Sequence, residues 1–260
     1  MGRQRRIVKI PEAVRPGLET IGRIADAHEL KAYAVGGCVR DWMWGIVSTV
    51  DVDVTVEGNG MALAQRLGET FGVPVQSHPQ FGTATLELPC GAPRRAMRRR
   101  LDIATCRKET YREPAAYPRV SAGTLRDDLR RRDFTINAMA MALSPDQFGR
   151  LADPFDGLRD LKKRHLRILH PDSFVDDPSR ILRAARFAAR FHLRLERHTE
   201  RQMSRALASG LLGCLNRGRV RKEFERMAAE PQPLDALACL GRWLVEASAT
   251  TRHDRRRVAR

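Results

Sequence analysis

Seven residues constrain this chain more than any others. Val50, Val52, Val54 and Val56 alternate with Asp51, Asp53 and Thr55. Because successive strand side chains point to opposite faces, the pattern predicts a β-strand with an apolar and a polar face. Two carboxylates at i and i+2 project from one face, close enough to share a divalent cation, and such oxygen ligands suit Mg²⁺. An Asp-x-Asp pair alone occurs by chance in many chains. The valine face adds to it, since it anchors the strand in a core while both aspartates point into a cleft. Asp102 opens a further apolar run, Asp102 to Thr105. Either it is a strand-end aspartate in a turn, or an adjacent strand brings it beside the pair. Three carboxylates around two Mg²⁺ ions would make a phosphoryl-transfer centre.

The rest of the pattern is mixed at first and helical later. A helix is expected over Glu12 to Glu29, a strand over Ala32 to Val35 ending at Gly36-Gly37, and helical character from Val39 to Gly45. An amphipathic helix follows over Met61 to Phe71, with strands at Thr83 to Leu88 and Leu101 to Cys106. Pro93 to Arg100, with five arginines, is expected as a hairpin loop that is either solvated or in contact with RNA. From about Leu158 strand signals fade and helices are expected at Pro178 to Phe191, Glu196 to Ala208, Arg219 to Ala229 and from Pro233 to Val245, before a basic tail. The expected architecture is α+β: a mixed-sheet domain over residues 1–157, a helical segment over 158–230, and a short helical body with a basic tail over 231–260.

Charge narrows the partner. The formal net charge of +16 across 260 residues implies a polyanion. Aromatics form only 6% of the chain and are not interleaved with the basic residues, so contact should run through phosphates and weaken with salt. No apolar stretch has the length of a membrane span, and Met1 to Lys9 leads into Pro11, Glu12 and Arg15 rather than an apolar block. A cytoplasmic protein is expected. Five scattered cysteines without zinc spacing are expected as reduced, mostly buried thiols.

Further residues carry chemistry. Gly36-Gly37 lies between a strand and a helix, where backbone N–H groups can approach a triphosphate, and Arg40 one turn later can reach the same phosphates. Asp177-Pro178 reads as a helix start with Asp177 as N-cap. On that helix Arg180, Arg183, Arg186 and Arg190 fall within an arc of about 120° at 100° per residue. They lack acidic partners at i+4, so the ridge is expected to meet phosphates or bases.

Four of these segments together resemble the class II tRNA nucleotidyltransferase (CCA-adding enzyme) and bacterial poly(A) polymerase family, within the polymerase-beta-like superfamily. Val35 to Asp41 resembles its GGxVRD motif, Asp51-Val52-Asp53 its DxD, Arg131 to Ala138 its RRDFTxNA, and Asp177 to Phe187 its (E/D)DxxRxxRxxRF. The resemblance covers about residues 30–230 and implies a nucleotidyltransferase head, a helical neck and a truncated body. It implies Mg²⁺ at Asp51 and Asp53 with Asp102 as the third acidic residue, and nucleotide contacts from Gly36, Gly37, Arg40, Arg132, Asp133 and Asn137. Asp177 and Arg180 would read the base edge, with Arg183 and Arg186 completing the site.

The activity so implied is addition of C, A or both from CTP and ATP to a tRNA 3′ end; poly(A) tailing of RNA is the alternative within the family. A non-catalytic RNA-binding protein on the same fold is the rival of another class, and the intact Asp51, Asp53 and Arg180 argue against it. A DNA-directed repair polymerase is disfavoured by the lack of helix-hairpin-helix glycine patterns near the N-terminus.

Overall fold

In the computed structural model, which describes residues 6–46, 51–90 and 97–258, Val52, Val54 and Val56 are buried while Asp51 and Asp53 are exposed. Val50 lies outside the described residues. The strands of the main sheet are β1 (Lys31–Val35), β2 (Val52–Glu57), β3 (Val75–His78), β4 (Thr83–Cys90) and β5 (Met97–Thr105). A two-stranded ribbon, β6 (Arg107–Thr110) and β7 (Arg119–Ala122), comes next in the chain, and the sheet resumes with β8 (Ala140–Ala142) and β9 (Leu151–Ala152). Their spatial order is β3-β4-β5-β2-β1-β8-β9. Only β2 and β5 pair in parallel; the other neighbours pair antiparallel.

The chain divides into two compact units: Met1–Glu109 with Val120–Arg132 and Ile136–Leu158, and Thr110–Arg119 with Asp133–Thr135 and Arg159–Arg260. In the first, helices α1 (Arg15–Asp26) and α3 (Gly60–Phe71) cover the valine face of the sheet, while α2 (Gly37–Trp44) follows β1. Leu18, Ile21 and Ala25 of α1 and Leu63, Ala64 and Leu67 of α3 recur at helical spacing and are buried against Val54, Leu86 and Ile103. Asn59 caps α3, its side chain accepting from the Ala62 N–H at 3.0 Å. Thr55 shares the aspartate face yet is buried, because α4 (Leu125–Arg130) packs on that end of β2. The Leu125 N–H donates to Glu57 there at 2.7 Å.

The second unit takes in most of α5 (Gly157–Lys163), then β10 (His165–Leu166), α6 (Ser173–Asp176), α7 (Ser179–Phe191), β11 (Arg194–Leu195), α8 (Arg197–Ala208), α9 (Arg217–Ala228) and α10 (Pro233–Val258). Strands β10 and β11 pair in parallel. Ile181, Leu182, Ala184, Ala185 and Phe187 bury the inner face of α7, and Phe187 meets Phe134 edge-on with ring centroids 6.0 Å apart. Glu196 caps α8 and Asn216 caps α9.

Several expectations need correction. The arginine-rich stretch is only in part a loop: strand β5 begins at Met97, so Arg99 and Arg100 belong to the sheet. Arg94 and Arg95 lie outside the described residues. Cys38 and Cys106 are buried free thiols, but Cys214 is exposed and Cys239 only partly covered. Burial pushes both buried thiols up to about 12. Among the described residues no helix is long and apolar enough to cross a membrane.

Candidate functional site

Register fixes the carboxylates. The parallel pairing of β2 with β5 sets Asp53 opposite Asp102, and the antiparallel pairing of β4 with β5 sets Asp102 opposite Thr85. Asp51 lies two residues before Asp53. Thr85 Oγ1 donates to Asp102 Oδ1 at 2.5 Å, and Arg100 Nε donates to Asp102 Oδ2 at 2.8 Å. The Asp53 carboxyl is held above its ordinary range. Loss of surrounding water is the main cause, opposed by Arg132 and reinforced by the charges of Asp102 and Asp51. The three aspartates thus share one face. They do not form a closed cage: among the described residues no set of three His, Cys, Asp or Glu side chains is gathered to hold a metal ion. Asp102 has a donor on each oxygen, Thr85 on one and Arg100 on the other.

Gly36 joins that face to a basic group. It adopts φ +76°, a backbone conformation that favours glycine, and a Cβ there would lie 2.6 Å from Arg132 Nη1 and 3.7 Å from Asp53 Oδ2, so a side chain would push the Arg132 guanidinium aside. Its N–H donates to the Met139 carbonyl at 3.2 Å, so this group is not offered to a phosphate. Gly37 is the first residue of α2, where backbone N–H groups lack intrahelical acceptors. Arg132 Nη2 donates to Asp128 Oδ2 at 3.1 Å, while its Nε is buried without an acceptor. Asp128 is fully buried and also accepts from Arg131 at 2.9 and 2.7 Å. Burial alone would raise this carboxyl; Arg132 and Arg131 outweigh it and hold it below the ordinary range. Arg40 is buried, with Nε on Asp41 at 2.9 Å and Nη1 on Asn137 Oδ1 at 2.5 Å. The structure therefore shows Arg40 and Asn137 bracing α2 against the segment after Arg132.

Asp133, Asp177, Arg180, Arg183 and Arg186 belong to the second unit. Arg183 donates twice to Asp133, and its guanidinium lies 3.7 Å from Glu223 of α9. Arg186 and Arg190 both reach Glu230, at 3.0 and 3.5 Å. Arg180 is buried, with Nη1 donating to Ser173 Oγ at 2.6 Å. The expected unpaired ridge is thus paired. Its acidic partners lie about 40 to 50 residues away in sequence, where a search at i+4 does not look. Asp177 acts as a cap, one residue earlier than a formal N-cap, accepting from the Ser179 N–H at 2.9 Å and its hydroxyl at 2.6 Å. It also accepts from Arg219 Nη2 at 2.5 Å. Sequence reasoning missed Thr85, Asp128 and Arg219. The Thr124 capping box that starts α4 is closed by Asp127 and gave no signal for Asp128.

Residues 32–167 match the family model described as the poly A polymerase head domain. The chain belongs to that family. The chain is 44% identical over 208 residues to the A-adding tRNA nucleotidyltransferase of Aquifex aeolicus, covering 80% of this chain and 24% of that one. It is 39% identical over 209 residues to the CC-adding tRNA nucleotidyltransferase of Deinococcus radiodurans, covering 80% of this chain and 53% of that one. A solved tRNA nucleotidyltransferase complexed with a primer tRNA and an incoming ATP analog matches with a TM-score of 0.75 at 42% identity, over 86% of this chain and 60% of that one. The head-domain protein therefore corresponds to part of each relative's length. The mixed-sheet α+β fold expected from the four motifs is the one observed.

Proposed function

We propose that this chain carries the catalytic and nucleotide-selecting part of a template-independent tRNA nucleotidyltransferase, adding C, A or both from CTP and ATP to a tRNA 3′ end. The observation that carries this reading is the register that sets Asp53 beside Asp102, with Asp51 on the same face. In the reaction the RNA 3′-oxygen forms a bond to the α-phosphorus, the bond between the α-phosphorus and the bridging oxygen to the β-phosphate breaks, and pyrophosphate leaves. Mg²⁺ suits the donor set, because all the ligands are hard oxygens, and loss of water together with the charges of Asp102 and Asp51 already raises the Asp53 carboxyl. When bound, the metal lowers the pKa of the attacking hydroxyl and stabilises the leaving phosphate. Asp51 and Asp53 would hold it, with Asp102 available once Arg100 yields Oδ2. The buried, unpartnered Nε of Arg132 is a further donor suited to an anion. Asp177 would accept from the exocyclic amine shared by A and C, and Arg180 would donate to ring nitrogens or a carbonyl.

Poly(A) tailing is a second reading, favoured by the description of the matching family model. One experiment separates the two. The chain is incubated with Mg²⁺, each labelled nucleotide in turn, and tRNAs lacking A, CA or CCA, beside an unrelated RNA. Addition of one to three residues confined to tRNA supports the first reading, and long A tails on both RNAs support the second. Absence of incorporation on every substrate overturns both and leaves an RNA-binding protein.

A further inference from the structure

We propose that the first unit carries a separate binding site for a small amphiphilic anion, on the helix-covered face of its sheet. A cavity of about 220 Å³ lies there, lined by Val14 just before α1, Leu18 and Ile21 of α1, Phe71 of α3, Val52 of β2 and Leu101 of β5. Two charged side chains, Arg99 and Arg100, break this apolar lining. Arg99 shares its parity on β5 with the buried Leu101 and Ile103, so it faces the helices, away from Asp102. Its Nε is buried and donates to nothing. Arg100 also touches the cavity, but Asp102 holds its guanidinium.

A buried N–H donor without an acceptor in apolar surroundings is unfavourable until an oxygen reaches it. Among the described residues no carboxylate does so for Arg99. Residues 91–96, next to it in sequence, contain no Asp or Glu. Gly17 leaves the α1 side of the cavity open: a Cβ there would meet no heavy atom within 4 Å. An apolar cavity of about 150 Å³ takes up benzene, so this one suits a body of about seven carbons. An apolar tail of that size with one anionic head matches both the walls and the unpartnered donor. The inference does not depend on the nucleotide reading, because Arg99 and Gly17 take no part in it.

The probe is octanoate, titrated into the full chain by isothermal calorimetry with octanol as the uncharged control. Octanoate should bind, and Arg99→Gln should weaken it at least tenfold. Octanol should bind more weakly by a similar factor, and Gly17→Leu, which fills the space, should abolish binding. Circular dichroism verifies that each variant is folded; if Gly17→Leu is not, Arg99→Gln alone decides. Absence of octanoate binding to the wild type, or equal binding by Arg99→Gln, overturns the site. Equal affinity for octanol overturns the anionic head.

Discussion

Arg183 donates through both Nε and Nη2 to a single oxygen of Asp133, at 2.8 and 2.5 Å. The pair ties α7 to the three-residue segment Asp133–Thr135, which belongs to the second unit although its sequence neighbours on both sides belong to the first. Asp133 is buried, and its other oxygen accepts from the Phe134 N–H at 2.7 Å. Its charge in turn raises the Arg183 guanidinium.

Removing the acid should therefore unfold the chain more readily. Asp133→Ala leaves a half-buried guanidinium with the longer contact to Glu223 and the ring of Phe187, and breaking a buried pair in this way costs about 3–5 kcal/mol. Urea melts of the two proteins measure it. A loss below about 1 kcal/mol would place the contact among exposed ion pairs that contribute little.

The raised Asp53 carboxyl makes a pH-dependent prediction. Its folded pKa lies above the ordinary 3.8, chiefly through loss of water. The folded state therefore binds the extra proton, and this group's contribution to stability falls as pH rises from the ordinary value through the raised one. Asp53→Asn should abolish incorporation yet make the fold more stable at pH 7, with a flatter stability profile above pH 4. Melting temperatures across that range decide it. A variant that melts lower than wild type at pH 7 contradicts the assigned strain.

Arg100 and a divalent cation would compete for Asp102 Oδ2. The ion pair is partly exposed, with the arginine side chain 58% and the aspartate 34% accessible, so it contributes at most about 1 kcal/mol, or about fivefold in affinity. Arg100→Gln should tighten Mn²⁺ binding by up to that factor, read by electron paramagnetic resonance without nucleotide. Weaker binding would mean that Arg100 orients Asp102 for the metal.

Local pattern carried most of the fold. The Val–Asp alternation, the amphipathic periods of α1, α3 and α7, and the glycine pair after β1 depend on neighbours in sequence, and the structure follows them. Pairings between distant segments were not legible. Nothing near Arg183 announces Asp133 or Glu223, and nothing near Arg186 announces Glu230, so the ridge read as unpaired. Register was equally hidden, since the placement of Asp102 beside Asp53 depends on β5 pairing parallel to β2. The resemblance to a family supplied Asp102 as a site residue, whereas spacing left it open between a turn and a site.

The last prediction concerns base choice. Asp177 and Arg180 stand at the start of α7, and the structure gives each a structural partner: Ser179 and Arg219 for Asp177, Ser173 for Arg180. If Asp177 also accepts from the exocyclic amine of A or C, Asp177→Ala should reduce discrimination against UTP and GTP by about 1–3 kcal/mol, the cost of an unpaired polar contact. Arg180→Ala should do the same. Asp177→Asn and Asp177→Ser still cap the helix start, so they separate the two roles. A pure cap predicts normal selection in both; a base reader predicts that Asp177→Ser loses it, its hydroxyl falling short of the amine, and that Asp177→Asn weakens it, since its amide oxygen still accepts but without the charge. The Arg219 contact needs its own control, because any loss of charge at Asp177 frees that guanidinium. Arg219→Gln should therefore leave selection intact if the effect belongs to Asp177 itself. Single-nucleotide incorporation with each of the four triphosphates reads all five variants, and unaltered selectivity in Asp177→Asn together with Arg180→Ala would sink the base-reading role.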